Sequence, residues 1–320
     1  MQCNLTGFLV VALALGLHSH AAARDVGPHS GAPFEQHHLV DGLGRTVTYY
    51  ISRPTTTAPL LLMIQGSGCT EVFNRTGAQT YSTVYDALPI AASHRFTVVV
   101  VEKPFAGQAA GAERGTATGC SSEFNQDFTA QRWLEALRAA LADARKSPSV
   151  DPSRTLVLGH SEGAVMAAML AGRDPMITDV VSFAGSGTSQ LFDLLALAYQ
   201  TCTDQSACIQ DIERQARAIA AKPDSATDFA WGHPFKRWAS FFKVNPAEEL
   251  LRSHARVYLA AGTDDRNVPI LSMEIAAATL LGAGRDVTVR RIPGADHSLG
   301  GGGDSTEAEY QRALDWFWSK

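Results

Sequence analysis

The run "TLVLGHSEGAVMAAML" (155–170) sets a histidine, a serine and a glutamate between two glycines, with apolar residues on both sides. G-x-S-x-G alone is a short pattern, expected by chance in about one sequence of this glycine and serine content in six, so its context must decide. Here a strand-like stretch precedes it and a helix-like stretch follows, the strand–turn–helix that lifts a serine hydroxyl clear of a sheet. Gly159 and Gly163 let the two backbones approach closely. The N–H of Glu162, opening the helix, is placed to face a developing oxyanion. Ser161 is therefore the candidate nucleophile.

A hydroxyl becomes a nucleophile beside a base, and a histidine base needs a carboxylate to orient it. Two downstream segments supply both groups. "LAAGTDDRNVP" (259–269) and "RIPGADHSLGGGG" (291–303) each begin at the end of a strand-like run and continue as a loop. In a parallel sheet these loops reach the same edge as Ser161. A hydroxyl, an imidazole and a carboxylate meeting there can attack an acyl carbonyl, shuttle the proton and release the leaving group.

The elements that must position them follow from the apolar pattern. Strand-like runs occur at 45–52, 59–65, 96–102, 155–159, 180–185, 255–262 and 286–292, most of them almost wholly apolar. Such strands suit a parallel sheet covered on both faces. Helices are expected over 125–146 and 268–284. Another is expected over 305–320, with Thr306 and Glu309 in capping-box register. The fold class is α/β, a mostly parallel central sheet with helices on both faces. Residues 188–251 lack a strand-like run and are expected to form a helical, cap-like insertion over the strand ends.

On these residues the chain resembles the α/β-hydrolase superfamily, across most of 45–320 and least well over 188–251. Its esterase, dienelactone hydrolase-like and prolyl oligopeptidase-like catalytic domains come nearest. The resemblance implies an acid in a G-x-x-D-x-x-V-P loop, here Gly262, Asp265, Val268 and Pro269, so Asp265 is chosen over Asp264. It implies a base in a short Asp-His segment, which matches His297. The order serine, acid, histidine leaves Asp296 as a loop-stabilising carboxylate. A second oxyanion donor is implied in "MIQGSGCTE" (63–71), where Gln65-Gly66 stands in place of the usual His-Gly. The Ser67 N–H is expected to pair with that of Glu162, with Gly68 as the second choice. Gly66, Gly68 and His160 are expected to touch substrate. Glu162 is read either as a carboxylate favoured by the helix dipole or as a group facing a cationic or polar substrate. Phe229, Trp231, Phe235 and Trp238 either line an acyl pocket or form the core of the insertion.

The implied activity is cleavage of a carboxylic ester through an acyl-enzyme. The same residues also suit a peptidase of prolyl oligopeptidase type, although no propeller-length segment precedes them, or an acyltransferase or thioesterase. A binding protein on a hydrolase scaffold is the reading from another class. The partner expected is a small acyl substrate. With a net charge of −5 nothing marks a nucleic-acid face. No histidine, cysteine and acid spacing suggests a metal, and no cofactor is implied.

Residues 1–23 have an apolar centre and small residues at Ala21 and Ala23, and are read as a signal peptide. The mature protein, 24–320, is then a single hydrolase domain, exported to the periplasm or beyond, with no stable membrane span. Cys69, Cys120, Cys202 and Cys208 remain after cleavage. An even number in an exported chain suggests disulfides. Cys202–Cys208 is the local pair, leaving Cys69–Cys120 to brace the loop that follows residues 59–65.

Overall fold

Strands that are apolar at every position need cover on two sides, and the folded chain supplies it. The computed structural model describes residues 25–26, 34–76, 79–85, 87–107 and 112–319. The signal peptide expected over 1–23 lies outside them. The N-terminal half contains β1 (Asp25–Val26), β2 (Phe34–Val40), β3 (Thr46–Ser52), β4 (Ala58–Ile64), β5 (Phe73–Thr76), β6 (Gln79–Ser82), α1 (Ala87–Ala92), β7 (Thr97–Val101), α2 (Ser122–Asp127) and α3 (Ala130–Ala144). Then come β8 (Val150–His160), α4 (Glu162–Ala171), β9 (Asp179–Phe183), α5 (Gln190–Thr201), α6 (Gln205–Ala221), β10 (Phe229–Ala230), β11 (His233–Pro234), α7 (Phe235–Phe241) and α8 (Pro246–Arg252). The chain closes with β12 (Arg256–Gly262), α9 (Ile270–Gly282), β13 (Val287–Ile292) and α10 (Thr306–Trp318).

Nine strands form one sheet in the order β1-β2-β3-β7-β4-β8-β9-β12-β13. From β7 to β13 each neighbouring pair is parallel. β1, β2 and β3 close one edge antiparallel, so the run at 45–52 is not part of the parallel set. Successive side chains of a strand face opposite sides. Leu60, Leu62 and Ile64 of β4 accordingly join one core, with residues of α3, α4, α8 and α9. Leu61 and Met63 join the other, with residues of α1 and α10.

Two helix expectations need correction. The segment 125–146 is two helices, broken at Phe128, whose ψ of 94° is extended. Thr129 lies in the β region and its side chain accepts from the Arg132 N–H, so it caps a new helix. At the C-terminus Ser305, one residue before Thr306, is the N-cap and accepts from Ala308 N–H. Glu309 is buried and pairs with Arg290 across to β13, so it does not complete a capping box.

Between β9 and β12 stand four helices and the short pair β10–β11, where the sequence suggests helices alone. α6 packs against both α5 and α7. α8 lies against α4 and α9 and so belongs to the layer that covers the sheet. Both disulfides are formed: Cys69–Cys120, 51 positions apart, and Cys202–Cys208, 6 apart. By the loop-entropy relation they stabilise the fold by about 4 kcal/mol and about 2 kcal/mol, respectively. Among the described residues, no helix is long and apolar enough to cross a membrane.

Candidate active site

β8 ends at His160, and the chain turns at Ser161 with φ 59° and ψ −125° before α4 begins. A serine rarely adopts this conformation, and it persists only where neighbours over-determine it. The Ser161 N–H donates to Phe183 O at 2.9 Å, and Ser161 O accepts from Ala164 N–H at 3.0 Å. The flanking glycines are required by contact. A Cβ at Gly159 would lie 2.1 Å from Gly163 O, and one at Gly163 would lie 2.2 Å from Ile64 O. α4 therefore sits directly on the ends of β8 and β4. Glu162 is its first residue, so the Glu162 N–H has no acceptor within the helix.

The loops after β12 and β13 carry the candidate acid and the candidate base. His297 Nδ1 lies 2.8 Å from Asp265 Oδ2. The other oxygen, Oδ1, accepts from the N–H groups of Asn267 and Val268 at 2.8 and 3.0 Å. The Asp265 side chain is fully buried, whereas Asp264 is exposed and, among the described residues, accepts only from the Thr263 hydroxyl. The backbone ties the two loops together, with the Asp264 N–H donating to Ala295 O at 3.0 Å. Asp296 accepts from the N–H and hydroxyl of Ser298 and so shapes its own loop.

His160 is a neighbour that supports the base. Its Nε2 lies 2.7 Å from His297 O, and the two rings are 4.9 Å apart. A carbonyl only accepts, so Nε2 carries the hydrogen and donates it. Burial, helped by the nearby His297 ring, lowers the His160 pKa to about 4. The unfolded chain, near 6.5, then binds the extra proton over the interval between the two values. Stability is complete above pH 6.5 and is lost as pH falls toward 4. His160→Gln keeps the donor without the titration. From pH 7 to 5 its Tm should fall less than that of the wild type, by on the order of 5 °C, in calorimetric scans. Equal falls would exclude His160 as the source of the acid sensitivity.

The Gly66–Gly68 loop follows β4 and abuts the elbow. A Cβ at Gly66 would lie 3.5 Å from Ser161 Cβ. Gly66 and Ser67 line the cavity above Ser161, but Gly68 does not. Gly68 instead faces the backbone of Gly115 and Thr116. The Glu162 carboxylate is also accounted for. Lys103 Nζ lies 3.1 Å from its Oε1, and Arg237 donates to Oε2 at 2.7 and 3.2 Å. All three side chains are at most 3% exposed, so Glu162 does not present a free anion to a cationic substrate. Burial alone would raise the Glu162 pKa; the two cations outweigh it and hold the pKa low. The sequence does not mark Lys103 or Arg237. The only hint is a charged pair, Glu102-Lys103, directly after an all-apolar strand.

These loops surround one cavity of about 1090 Å³, lined in part by Ser161, His297, Gly66 and Ser67. Trp231 and Trp238 also line it. Phe235 and Trp238 pack with Ile219 and Ala230 in a separate small core. Trp238 thus belongs both to the cavity wall and to the core of the insertion. Phe229 is 42% exposed and joins neither.

A strand–turn–helix with a serine at the turn, at the end of a central parallel strand and at the same rim as the loops of Asp265 and His297, is the arrangement of the α/β-hydrolase class of fold. The chain belongs to the Alpha/beta hydrolase family, whose profile matches residues 61–304. No curated protein matches the sequence. Among solved structures it is similar to the acylaminoacyl peptidase of Pyrococcus horikoshii, at TM-score 0.61 and 14% identity, over 90% of this chain and 42% of that one. It is also similar to Est1E from Butyrivibrio proteoclasticus (TM-score 0.56, 14% identity, 88% of this chain and 97% of that one). A third similarity is to acetyl xylan esterase 1 from a Thermoanaerobacterium species (TM-score 0.58, 17% identity, 92% and 84%). The chain spans less than half the length of the peptidase. At these identities the likeness is one of fold.

Proposed function

We propose that the protein is an exported serine hydrolase that cleaves a carboxylic ester through an acyl-enzyme. The observation that carries this reading is the Asp265–His297 hydrogen bond at the same rim as Ser161, with His297 and Ser161 opening into one cavity. With Nδ1–H donated to Asp265, His297 keeps Nε2 free to take a proton. Ser161 Oγ attacks the acyl carbon as His297 accepts its proton. The N–H groups of Glu162 and Ser67 stabilise the oxyanion. His297 returns the proton to the leaving alkoxide, and water then repeats the sequence on the acyl-enzyme. Export rests on the apolar leader at 1–23 and on the two disulfides, which persist outside the reducing cytosol.

Fluorophosphonate labelling tests the reading. Wild-type protein should be labelled at Ser161 and Ser161→Ala should not. An unlabelled wild type would favour a binding protein. A panel of short and long acyl esters beside aminoacyl amides then assigns the leaving group. Faster amide cleavage would replace esterase by peptidase.

A further inference from the structure

Lys103 is fully buried behind the cavity wall, and all three of its donors are used. Its Nζ lies 2.6 Å from Gly66 O, 3.1 Å from Gly68 O and 3.1 Å from Glu162 Oε1. The Phe128 ring, set by the break between α2 and α3, lies 4.6 Å away. Arg237 alone already gives Glu162 a full counter-charge. Burial lowers the lysine's pKa and the Glu162 and Glu102 carboxyl groups oppose that shift; its other two hydrogen bonds go to loop carbonyls, a costly buried arrangement for a lysine.

A trans peptide holds its C=O and N–H on opposite sides. Gly66 and Ser67 line the cavity and Lys103 does not. Drawing Gly66 O toward Lys103 turns the Ser67 N–H the other way, toward the cavity. That N–H has no protein acceptor among the described residues. We propose that Lys103 is a positioning residue that fixes the 66–67 peptide as an oxyanion donor. Glu162 is the shared anchor: its backbone N–H serves the same oxygen, and its carboxylate holds Lys103. The proposal rests on the serine hydrolase reading above. A cation on the carbonyl also polarises the peptide and strengthens its N–H as a donor. Without the lysine, the peptide joining Gly66 to Ser67 is free to flip and present its oxygen to the oxyanion.

The test begins with fluorophosphonate labelling and ester turnover of the wild type. Their absence overturns the hydrolase reading and this proposal with it. Given both, Lys103→Met should lower kcat per titrated active site by about 10²-fold, as loss of one oxyanion donor does, with KM changed less than about threefold. Affinity for a trifluoromethyl ketone, which forms an oxyanion on Ser161, should fall in step with kcat/KM. Inhibition by the product acid should not change. Lys103→Gln keeps an amide NH₂ donor without the charge and should lose about tenfold in kcat; it decides the matter if the methionine variant does not accumulate. A purely structural lysine would lower Tm and yield but leave kcat per active site and ketone affinity unchanged. That result, in a protein whose Ser161 is labelled, overturns this proposal alone.

Discussion

Replacing Ser161 by alanine should lower ester turnover by on the order of 10⁴- to 10⁶-fold and leave the fold intact. The two halves of this expectation have separate grounds. The hydroxyl is the only atom removed, and it caps nothing: no side-chain bond from Ser161 supports the start of α4. Alanine meets the same backbone penalty as serine at a φ of 59°, so the strain of the turn is unchanged. The loss in rate is large because the covalent route is closed. Only the oxyanion donors and substrate binding then remain. Steady-state kcat on the best ester from the panel, beside a thermal melt, measures both. Turnover within tenfold of the wild type would mean that another group is the nucleophile.

The second large effect separates two adjacent acids. Asp265→Asn should cost roughly 10⁴-fold in kcat, and Asp264→Asn no more than a few fold. Two backbone N–H groups, from Asn267 and Val268, point at Oδ1 of Asp265. In the amide variant they select the carbonyl oxygen for that position, so the NH₂ must face His297 Nδ1. The imidazole is then held with its hydrogen on Nε2, where it cannot accept a proton from Ser161. The geometry survives while the chemistry fails. Asp264 has no comparable contacts, and its exposed carboxylate leaves the imidazole untouched. Matched losses in the two variants, measured as kcat at one pH, would show that Asp265 is not the orienting acid.

The parts of this molecule that announce themselves in sequence are those with a local pattern. β4, β7, β12 and the 155–159 stretch of β8 are mostly apolar because both faces are covered there, and with the shorter β9 they read as strands. The elbow and the loops of Asp265 and His297 read out for a related reason, since each begins where such a strand stops. β2 does not read out, because it pairs with β1 at only two positions, is half-buried along most of its length, and "FEQHHLV" carries no clear alternation. The break at Phe128 is hidden by helical spacing that continues across it, and only the capping bond of Thr129 reveals the new start. Lys103 and Arg237 are least legible. A lysine after a strand is ordinarily a solvated residue. Its burial follows from Glu162, Gly66 and Gly68, which lie 59, 37 and 35 positions away in the chain.

The missing side chains at Gly159 and Gly163 have a mechanical consequence. They let α4 rest on the carbonyl of Ile64, two residues before the Gly66–Gly68 loop starts. Ser161 and the Gly66–Gly68 loop, the proposed attacking group and the proposed cradle for its charge, are thus referred to a single datum. α5 and the β10–β11 segment border the cavity from the far side and share no part of that datum. The molecule therefore divides into an anvil fixed by backbone contact and a wall built separately from it, and we expect substitutions that change the diet of this hydrolase to fall in the wall.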